Sequence, residues 1–445
     1  MKMDQASQRS PMTWVPSLYF AQGLPFYAVM LVAGLMFKSM GVANEQITHW
    51  TGPIGLAWVF KPLWSPFLEL ASSKKLMVLI FQMMGGACLG LVALALHMPA
   101  WSAACVAMLA LVAIASATHD IVCDGLYIAS LSAKGQASYA GWTGTFYNAG
   151  RFISIGGLVV LAGYFETRVG VRQAWTIIFC LLGAMLVALA VYNSWALPLG
   201  LNPKGADSSF GGIARTLGDV ILAFFRKPGI WVSIVFIILF RAGEAQVQTI
   251  GPLFLREARN LGGLGLSTGE VGLVYGTIGT VAFIVGSIAG GYFTSWLGLK
   301  RAILFLILAV NLPNLVFYFL SSVLPGDIHV IGVALGLEMF GYGFGFVGLI
   351  LYMMQVVAPG KYQTAHYAFA TGIMQLGFVL FKTVSGDIQA ALGYRHFFVW
   401  VLACALPVLL LSQLIPMSVR ADAGGSGDGD DGGKQGQAAP AASAG

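Results

Sequence analysis

The chain has 445 residues, of which 58% are hydrophobic and 9% charged. Soluble domains carry about 25% charged residues, so this composition excludes a soluble enzyme and a disordered protein. The net charge of +6 follows the placement of Lys and Arg in loops and does not indicate nucleic-acid binding.

Apolar runs of spanning length, about 20 residues, recur along the chain. They predict an all-α polytopic membrane protein with twelve transmembrane helices. A surface helix is expected at 211–225, in the longest loop. The predicted helices are 14–37, 47–69, 76–96, 101–131, 139–164, 173–196, 229–255, 268–294, 300–322, 328–357, 364–388 and 396–416.

These helices divide the chain into two halves. The predicted parts are an N-terminal segment (1–13), a six-helix bundle (14–196), a central loop (197–228), a second six-helix bundle (229–417) and a tail (418–445). The tail has no apolar face to bury, and we expect it to be disordered.

The loop cations set the predicted orientation. With the N-terminus inside, 14 Lys and Arg residues fall in inner segments and six in outer loops. Because cytoplasmic loops carry the excess of positive charge, both termini are expected in the cytoplasm. A bacterial inner membrane is the expected location.

A repeat at half the chain length supports the two-bundle division. Residues 41–55 open the second helix and residues 265–279 open the eighth, and three glycines coincide at an offset of 224. Two six-helix halves related by a parallel repeat are the major facilitator architecture.

The turns that follow these two helices carry candidate gating residues. The segment 290–301 resembles a facilitator loop motif, with Ser295 where an acid is usual. Two interpretations stay open: an inner-gate latch of charge pairs, or ordinary anchoring by positive residues. The candidate gating residues are Glu69, Lys74, Lys75, Lys300 and Arg301.

The fourth helix holds the strongest cluster of charges at membrane depth. Asp120, Asp124 and Tyr127 recur at spacings of four and three residues, so they share one face. Two close carboxylates repel, which favours retention of one proton and suggests proton coupling. Arg151 on the fifth helix, one turn after Tyr147, is the expected partner of either acid. The alternative is a static ion pair that fixes helix packing.

Other polar residues inside predicted helices are candidates for cargo binding, because ionisable groups at this depth are costly. Arg241 and Glu244 are spaced to neutralise each other, Glu338 is a further proton-coupling candidate, and Lys61 is expected to reach the inner surface. The substrate-binding candidates are Gln22, Tyr127, Tyr147, Arg241, Glu244, Gln248, Tyr342, Gln355, Gln375 and Lys382.

The sequence shows no catalytic chemistry. The five cysteines match no metal pattern, and His119-Asp120 lacks further ligands at metal spacing. Ser267 and Glu270 form a capping box rather than a nucleophile elbow. No nucleotide motif is present, so we expect no cofactor, no metal and no ATP drive. A membrane-embedded enzyme and a non-transporting envelope sensor are the alternatives from other classes.

Three segments resemble the AmpG-type permease group, which includes bacterial muropeptide permeases and the eukaryotic acetyl-CoA transporter. They are residues 19–25, with the string Gln-Gly-Leu-Pro, residues 61–67, with Lys-Pro-Leu-Trp-Ser-Pro, and residues 117–125, with Asp120 and Asp124. The resemblance implies a proton-driven importer of anhydro-muropeptides from peptidoglycan turnover, in which these two aspartates form the acidic motif.

The sequence departs from that group at several points. His119 stands where Gln is common, Glu69 stands where Asp is common, and the twelve predicted helices are two fewer than muropeptide permeases often have. A siderophore or an acyl-CoA-like compound therefore remains an alternative cargo. The expected partners are a small-molecule substrate, protons and lipid, with the protein as a monomer.

Overall fold

The computed structural model describes residues 9–68, 73–199 and 210–416. The predicted disordered tail, Glu69, and parts of the N-terminal segment and central loop lie outside these residues. The described chain is built of helices, and ten segments are long and apolar enough to cross a membrane.

The first half begins with the apolar span Pro11–Ser39. The second helix follows as Asn44–Thr51 and Leu56–Leu68 around a short 3-10 turn at Pro53–Gly55. The remaining helices of this half are Lys74–Ala95, Trp101–Ser130, a fifth helix that runs from Ala133 to Val169, and Val171–Ala196.

The second half follows the surface helix Phe210–Phe225, close to its predicted position. Its helices are Ile230–Arg256, Thr268–Leu297, Leu299–Val323, Ile328–Val357 and the apolar segment Ala365–Leu411. Gly393 interrupts that last segment with φ 69° and ψ 165°. Glycine adopts this conformation without the steric cost that a Cβ would bring. The interruption marks the turn between the predicted eleventh and twelfth helices.

The predicted count of twelve is only partly confirmed. Ten segments of the described residues meet the length and apolarity expected of a span. Division of the last one at Gly393 and addition of the second helix, which does not meet those criteria, give twelve. The second helix is broken by Pro53 and carries Lys61 within its apolar part.

The repeat predicted from the sequence recurs in the backbone. Gly41 and Gly265, which occupy equivalent positions, both have positive φ, 83° and 68°. Gly52 of the second helix faces Thr383 of the eleventh, and its equivalent Gly276 of the eighth faces Ile155 of the fifth. Equivalent glycines therefore bring helices of opposite halves together. The capping box of Ser267 and Glu270 is also formed.

The first helix bends where proline removes a backbone donor. Pro25 lies inside the helix, and the backbone then widens into a π-helical turn at Ala28–Val32. Gly23 lies against Gly150 of the fifth helix, and a Cβ on Gly150 would meet the Gly23 Cα at 3.0 Å. The string Gln-Gly-Leu-Pro thus sets how closely the first and fifth helices pack.

Candidate functional site

A central cavity of about 270 Å³ lies between the two halves. Its lining includes Tyr147 and Arg151 from the first half, and Arg241, Gln248 and Tyr342 from the second. These five residues were all predicted as site residues. Helices of both halves therefore contribute side chains to one compartment, as a transporter that alternates between two openings requires.

Aromatic rings form much of the wall of this cavity. The guanidinium of Arg151 lies 5.1 Å from the centroid of Phe283, and that of Arg241 lies 4.8 Å from the centroid of Phe378. Tyr147 packs against Tyr27 with ring centroids 5.5 Å apart. Rings beside cations provide both an apolar surface and fixed positive charge to a bound molecule.

A second cavity of about 160 Å³ adjoins the first, on the side nearer the N-terminal end of the first helix. Gln22, Lys61 and Asp120 line it, and Tyr147 and Gln375 line both cavities. Together the two fall within the range of small-molecule sites, about 300–1,000 Å³.

The three segments that carry the AmpG resemblance meet at this second cavity. Lys61 of the second helix forms an ion pair with Asp120 of the fourth. The Tyr19 hydroxyl of the first helix donates a hydrogen bond to Asp124 Oδ1 at 3.0 Å. Asp124, one helical turn further on, is exposed; it lies within electrostatic range of Lys61 but forms no ion pair with it.

This arrangement corrects two predictions. Lys61 does not reach the inner surface but pairs with Asp120. Arg151 forms no ion pair with either aspartate. Its Nη2 donates to Met339 Sδ of the tenth helix at 3.5 Å, and Glu338 and Glu244 of the second half lie within electrostatic range of it. On the fifth helix, the Arg151 side chain points toward the second half. Helical spacing alone does not predict that direction.

Arg241 and Glu244 form the predicted ion pair, with 2.9 Å between Nη1 and Oε2. The pair is close but not aligned as a hydrogen bond, and both carboxylate oxygens of Glu244 and the Nε of Arg241 have no hydrogen-bond partner in the protein. Buried polar atoms are almost always satisfied. Arg241 lines the central cavity, so its unpartnered N–H groups are available to a molecule bound there, whereas Glu244 lies behind it and is not part of the lining.

Three glutamines share this property. Gln22 Oε1, Gln248 Nε2 and Gln375 Nε2 are buried, have no hydrogen-bond partner in the protein, and belong to residues that line the cavities. All three were predicted from the sequence as polar contacts to cargo, and the structure brings them to one compartment.

Three further candidates lie away from the central cavity. Tyr127 packs in a separate apolar cluster with Trp14 and Tyr19, at centroid distances of 6.5 and 5.8 Å. Gln355 is exposed in the π-helical end of the tenth helix. Lys382 is buried on the side of the cavity nearer Ser39, the end of the first helix, and its ammonium donates to the Met30 carbonyl at 2.9 Å.

The predicted gating cations do not join the two halves among the described contacts. Lys74 is buried at the start of the third helix beside Gly125, and Lys75 donates to the Leu197 carbonyl at 3.1 Å. Lys300 and Arg301 are exposed. A latch built with Glu69 stays a prediction, because Glu69 is outside the described residues.

Polar contacts between the halves occur instead at the opposite end, which the first helix reaches at Ser39. We refer to them as the distal closure. They comprise Lys38 with Glu257 at 2.5 Å, Asn44 with Gln389 and Tyr394 at 2.7 Å each, His49 with Asp387 at 2.7 Å, and Glu166 with Thr268 at 2.6 Å. The structure is therefore closed at this end.

Sequence reasoning missed the distal closure. Lys38 was counted only as a loop cation, yet its side chain is 10% exposed and also donates to Asn44 at 2.9 Å. The sequence did contain a signal for this role. Lys38 lies at the end of an apolar helix, and the next helix begins soon after with the polar residues Asn44 and Glu45.

The comparisons with known proteins agree with this architecture. The Major Facilitator Superfamily family matches residues 17–382. The anhydromuropeptide permease of Escherichia coli (strain K12) is 26% identical over 414 residues, which cover 88% of this chain and 77% of the relative. The putative transporter AmpG 4 of Rickettsia conorii is 22% identical and covers 91% of this chain and 96% of the relative.

A solved structure shares the fold. A crystal structure of a nucleoside transporter superimposes with a TM-score of 0.71 at 14% identity, covering 91% of this chain and 99% of that one. The resemblance to AmpG-type permeases is confirmed by the named relatives. The chain is thus a multi-pass membrane transporter that belongs to the Major Facilitator Superfamily.

Proposed function

We propose that this transporter is a proton-coupled importer of anhydro-muropeptides across the bacterial inner membrane. It works by alternating access between a 14–196 bundle and a 229–417 bundle, as a monomer with both termini in the cytoplasm. The name of the Escherichia coli relative supports the cargo, and the excess of Lys and Arg in alternate loops supports the orientation.

One observation carries the proton coupling. Lys61 and Asp120 form an ion pair in the lining of the second cavity, and Asp124, one helical turn away, lies within electrostatic range of the same ammonium. When Asp124 is protonated and neutral, the charges of Lys61 and Asp120 cancel and the cluster has no net charge. Without that proton the cluster holds a net charge of −1, which is costly wherever water is excluded. A conformational change that excludes water from this cluster would therefore require protonation of Asp124.

The central cavity supports an amphiphilic cargo with sugar and amide groups. Aromatic faces such as Phe283 and Phe378 suit a sugar ring, and the unpartnered polar atoms of Gln248 and Gln375 suit amide groups. A proton that moves down about 100 mV supplies about 2.3 kcal/mol, enough for roughly fifty-fold accumulation.

The test is uptake of a radiolabelled anhydro-muramyl peptide into proteoliposomes under an imposed proton gradient. Wild-type protein should accumulate the peptide, and a protonophore should abolish accumulation. Asp124→Asn should lose accumulation but retain counterflow, because a neutral side chain removes only the coupling. Asp219→Asn, at an exposed position of the surface helix, is the matched control.

Two results would contradict the proposal in different ways. Accumulation by Asp124→Asn that stays as large as wild type and still collapses with a protonophore would remove the coupling role. Absence of saturable counterflow of the peptide by the wild type would remove the cargo, while leaving the transporter fold untouched.

A further inference from the structure

Lys382 is a fully buried cation on the eleventh helix, with 2% of its surface exposed. Its ammonium donates one hydrogen bond, to the carbonyl of Met30 on the first helix. A carbonyl supplies a partial charge, whereas a buried ammonium is usually balanced by a full one.

Three other cations within the described membrane helices have acids near them. Lys61 pairs with Asp120, and Arg241 pairs with Glu244. Arg151 lies within electrostatic range of Glu338. Among the described residues, Lys382 has no carboxylate within ion-pair distance, so its charge is uncompensated within this set.

A second donor lines the same small void as Lys382. Gln248 on the seventh helix lines both the central cavity and the small void, of about 20 Å³, that Lys382 lines on the distal side. Its Nε2 is buried and has no hydrogen-bond partner in the protein. Thr51 and Thr249 also line this void, but their hydroxyl protons are used on the carbonyls of Ile47 and Ala245.

Both groups are donors with N–H protons to spare: the Lys382 ammonium has one acceptor, and the Gln248 amide nitrogen has none in the protein. An ammonium with two further N–H groups and an amide N–H₂ can hold two oxygens of one anionic group. A cationic or hydroxyl-only group of a cargo would leave the ammonium uncompensated. The void holds about one water-sized object, so a larger group reaches Lys382 only when Gln248 moves or the distal closure opens.

We propose that Lys382 and Gln248 bind an anionic oxygen group of the cargo, a carboxylate or a phosphate, and that the Met30 carbonyl holds the ammonium while the distal end is closed. This inference rests on the proposed function in requiring a transported cargo. It makes an anionic group a condition for recognition, whichever cargo class is correct.

The experiment measures binding to the purified full-length protein by calorimetry and thermal shift. The probes are matched pairs that differ only by a carboxylate or phosphate and its neutral amide or ester: an anhydro-muramyl peptide, a carboxylate siderophore and an acyl-CoA. Any pair that binds should favour the anion about 10- to 100-fold, the range of a charge-assisted contact.

Variants assign that preference to the site. Lys382→Met should erase the anion preference, and it should fold, since replacing a buried charge by an apolar side chain of similar volume is tolerated. Gln248→Leu should reduce the preference. Its control is Gln246→Leu, two residues away, where the amide is used by Ala242 and Trp400. Lys227→Met is the control for loss of a carbonyl-binding lysine elsewhere.

The outcomes separate the two proposals. Anion preference for a siderophore or an acyl-CoA, with no binding of the muropeptide, would support the anion site and overturn the proposed cargo. Equal binding of charged and neutral muropeptides, or an anion preference that survives in Lys382→Met, would overturn the anion site and leave the cargo standing. Binding of no probe by the wild type would overturn both.

Discussion

Removal of the Glu257 charge should open the distal end of the transporter. Glu257 pairs with Lys38 of the opposite half at 2.5 Å, and their side chains are 17% and 10% exposed. Its carboxylate also accepts from the Tyr394 hydroxyl at 3.1 Å. Glu257→Gln keeps the shape and an oxygen for Tyr394 but removes the attraction to Lys38.

The expected size of the effect follows from this partial burial. Breaking a fully buried pair costs about 3–5 kcal/mol, and an exposed pair contributes about 0–1 kcal/mol. Water still reaches both side chains here, and Lys38 keeps Asn44 as a partner. A loss of about 2 kcal/mol for the closed state is therefore reasonable. It corresponds to a change of about thirty-fold in the ratio of closed to open molecules.

Distance measurements between spin labels can detect that shift. Labels at Val169 and Val323 would report the separation of the two halves at the distal end, because both side chains are exposed there. Cys180 is replaced first, since it is the exposed one of the five cysteines. Glu257→Gln should add a longer-distance population that is weak or absent in the parent protein.

Glu270→Gln is the matched control. Glu270 lies at the same end but caps its own helix through Ser267 and is not part of the distal closure. The reasoning is refuted if Glu257→Gln gives the distances of the parent protein, or if Glu270→Gln produces the same longer population.

Two further predictions concern helix packing around the cavity. Arg151→Ala should lower uptake. Double-mutant cycles measured by thermal stability should show a coupling of about 1 kcal/mol or more between Arg151→Ala and Glu338→Gln, but additive effects of Arg151→Ala and Asp120→Asn. Coupling to Asp120 instead would contradict the observed geometry. Gly23→Ala should lower the free energy of unfolding by about 1–3 kcal/mol, because its methyl group would meet the backbone of the fifth helix. Thermal unfolding in detergent measures this, with Gly90→Ala as the control, since a Cβ there meets nothing within 4 Å; equal effects of the two alanines would argue against the close contact.

The fold was largely predictable because its signals are local. Apolar length marks the helices, and the glycine pattern at 41–55 and 265–279 marks the repeat. The structure adds why those glycines matter: the equivalent residues Gly52 and Gly276 both lie where a helix of one half contacts a helix of the other. The predicted surface helix also follows from one apolar face within a polar loop.

The pairing of the site residues could not be predicted in the same way. Helical spacing says which residues share a face, but the neighbour of that face depends on helix rotation and crossing angle. Asp120 and Tyr127 share a stripe in sequence, yet one lines a cavity and the other packs against Trp14. Arg151 lines the central cavity, but its side-chain hydrogen bond is with Met339 rather than with Asp120 or Asp124.

The distribution of buried charge limits how a proton and a cargo can be coupled. Asp120, which pairs with Lys61, and Asp124, which accepts from Tyr19, lie toward the N-terminal end of the first helix, and Lys382 lies on the distal side of the central cavity. If the cargo displaced the proton directly, cargo anion and proton would occupy one site. The proposed anion site and the proposed proton site instead lie on opposite sides of the central cavity, so one bound group does not occupy both. Coupling between them would then act through the conformational change of the whole transporter: an anion on Lys382 releases the Met30 carbonyl of the opposite half, and a proton on Asp124 allows water to be excluded at the other end.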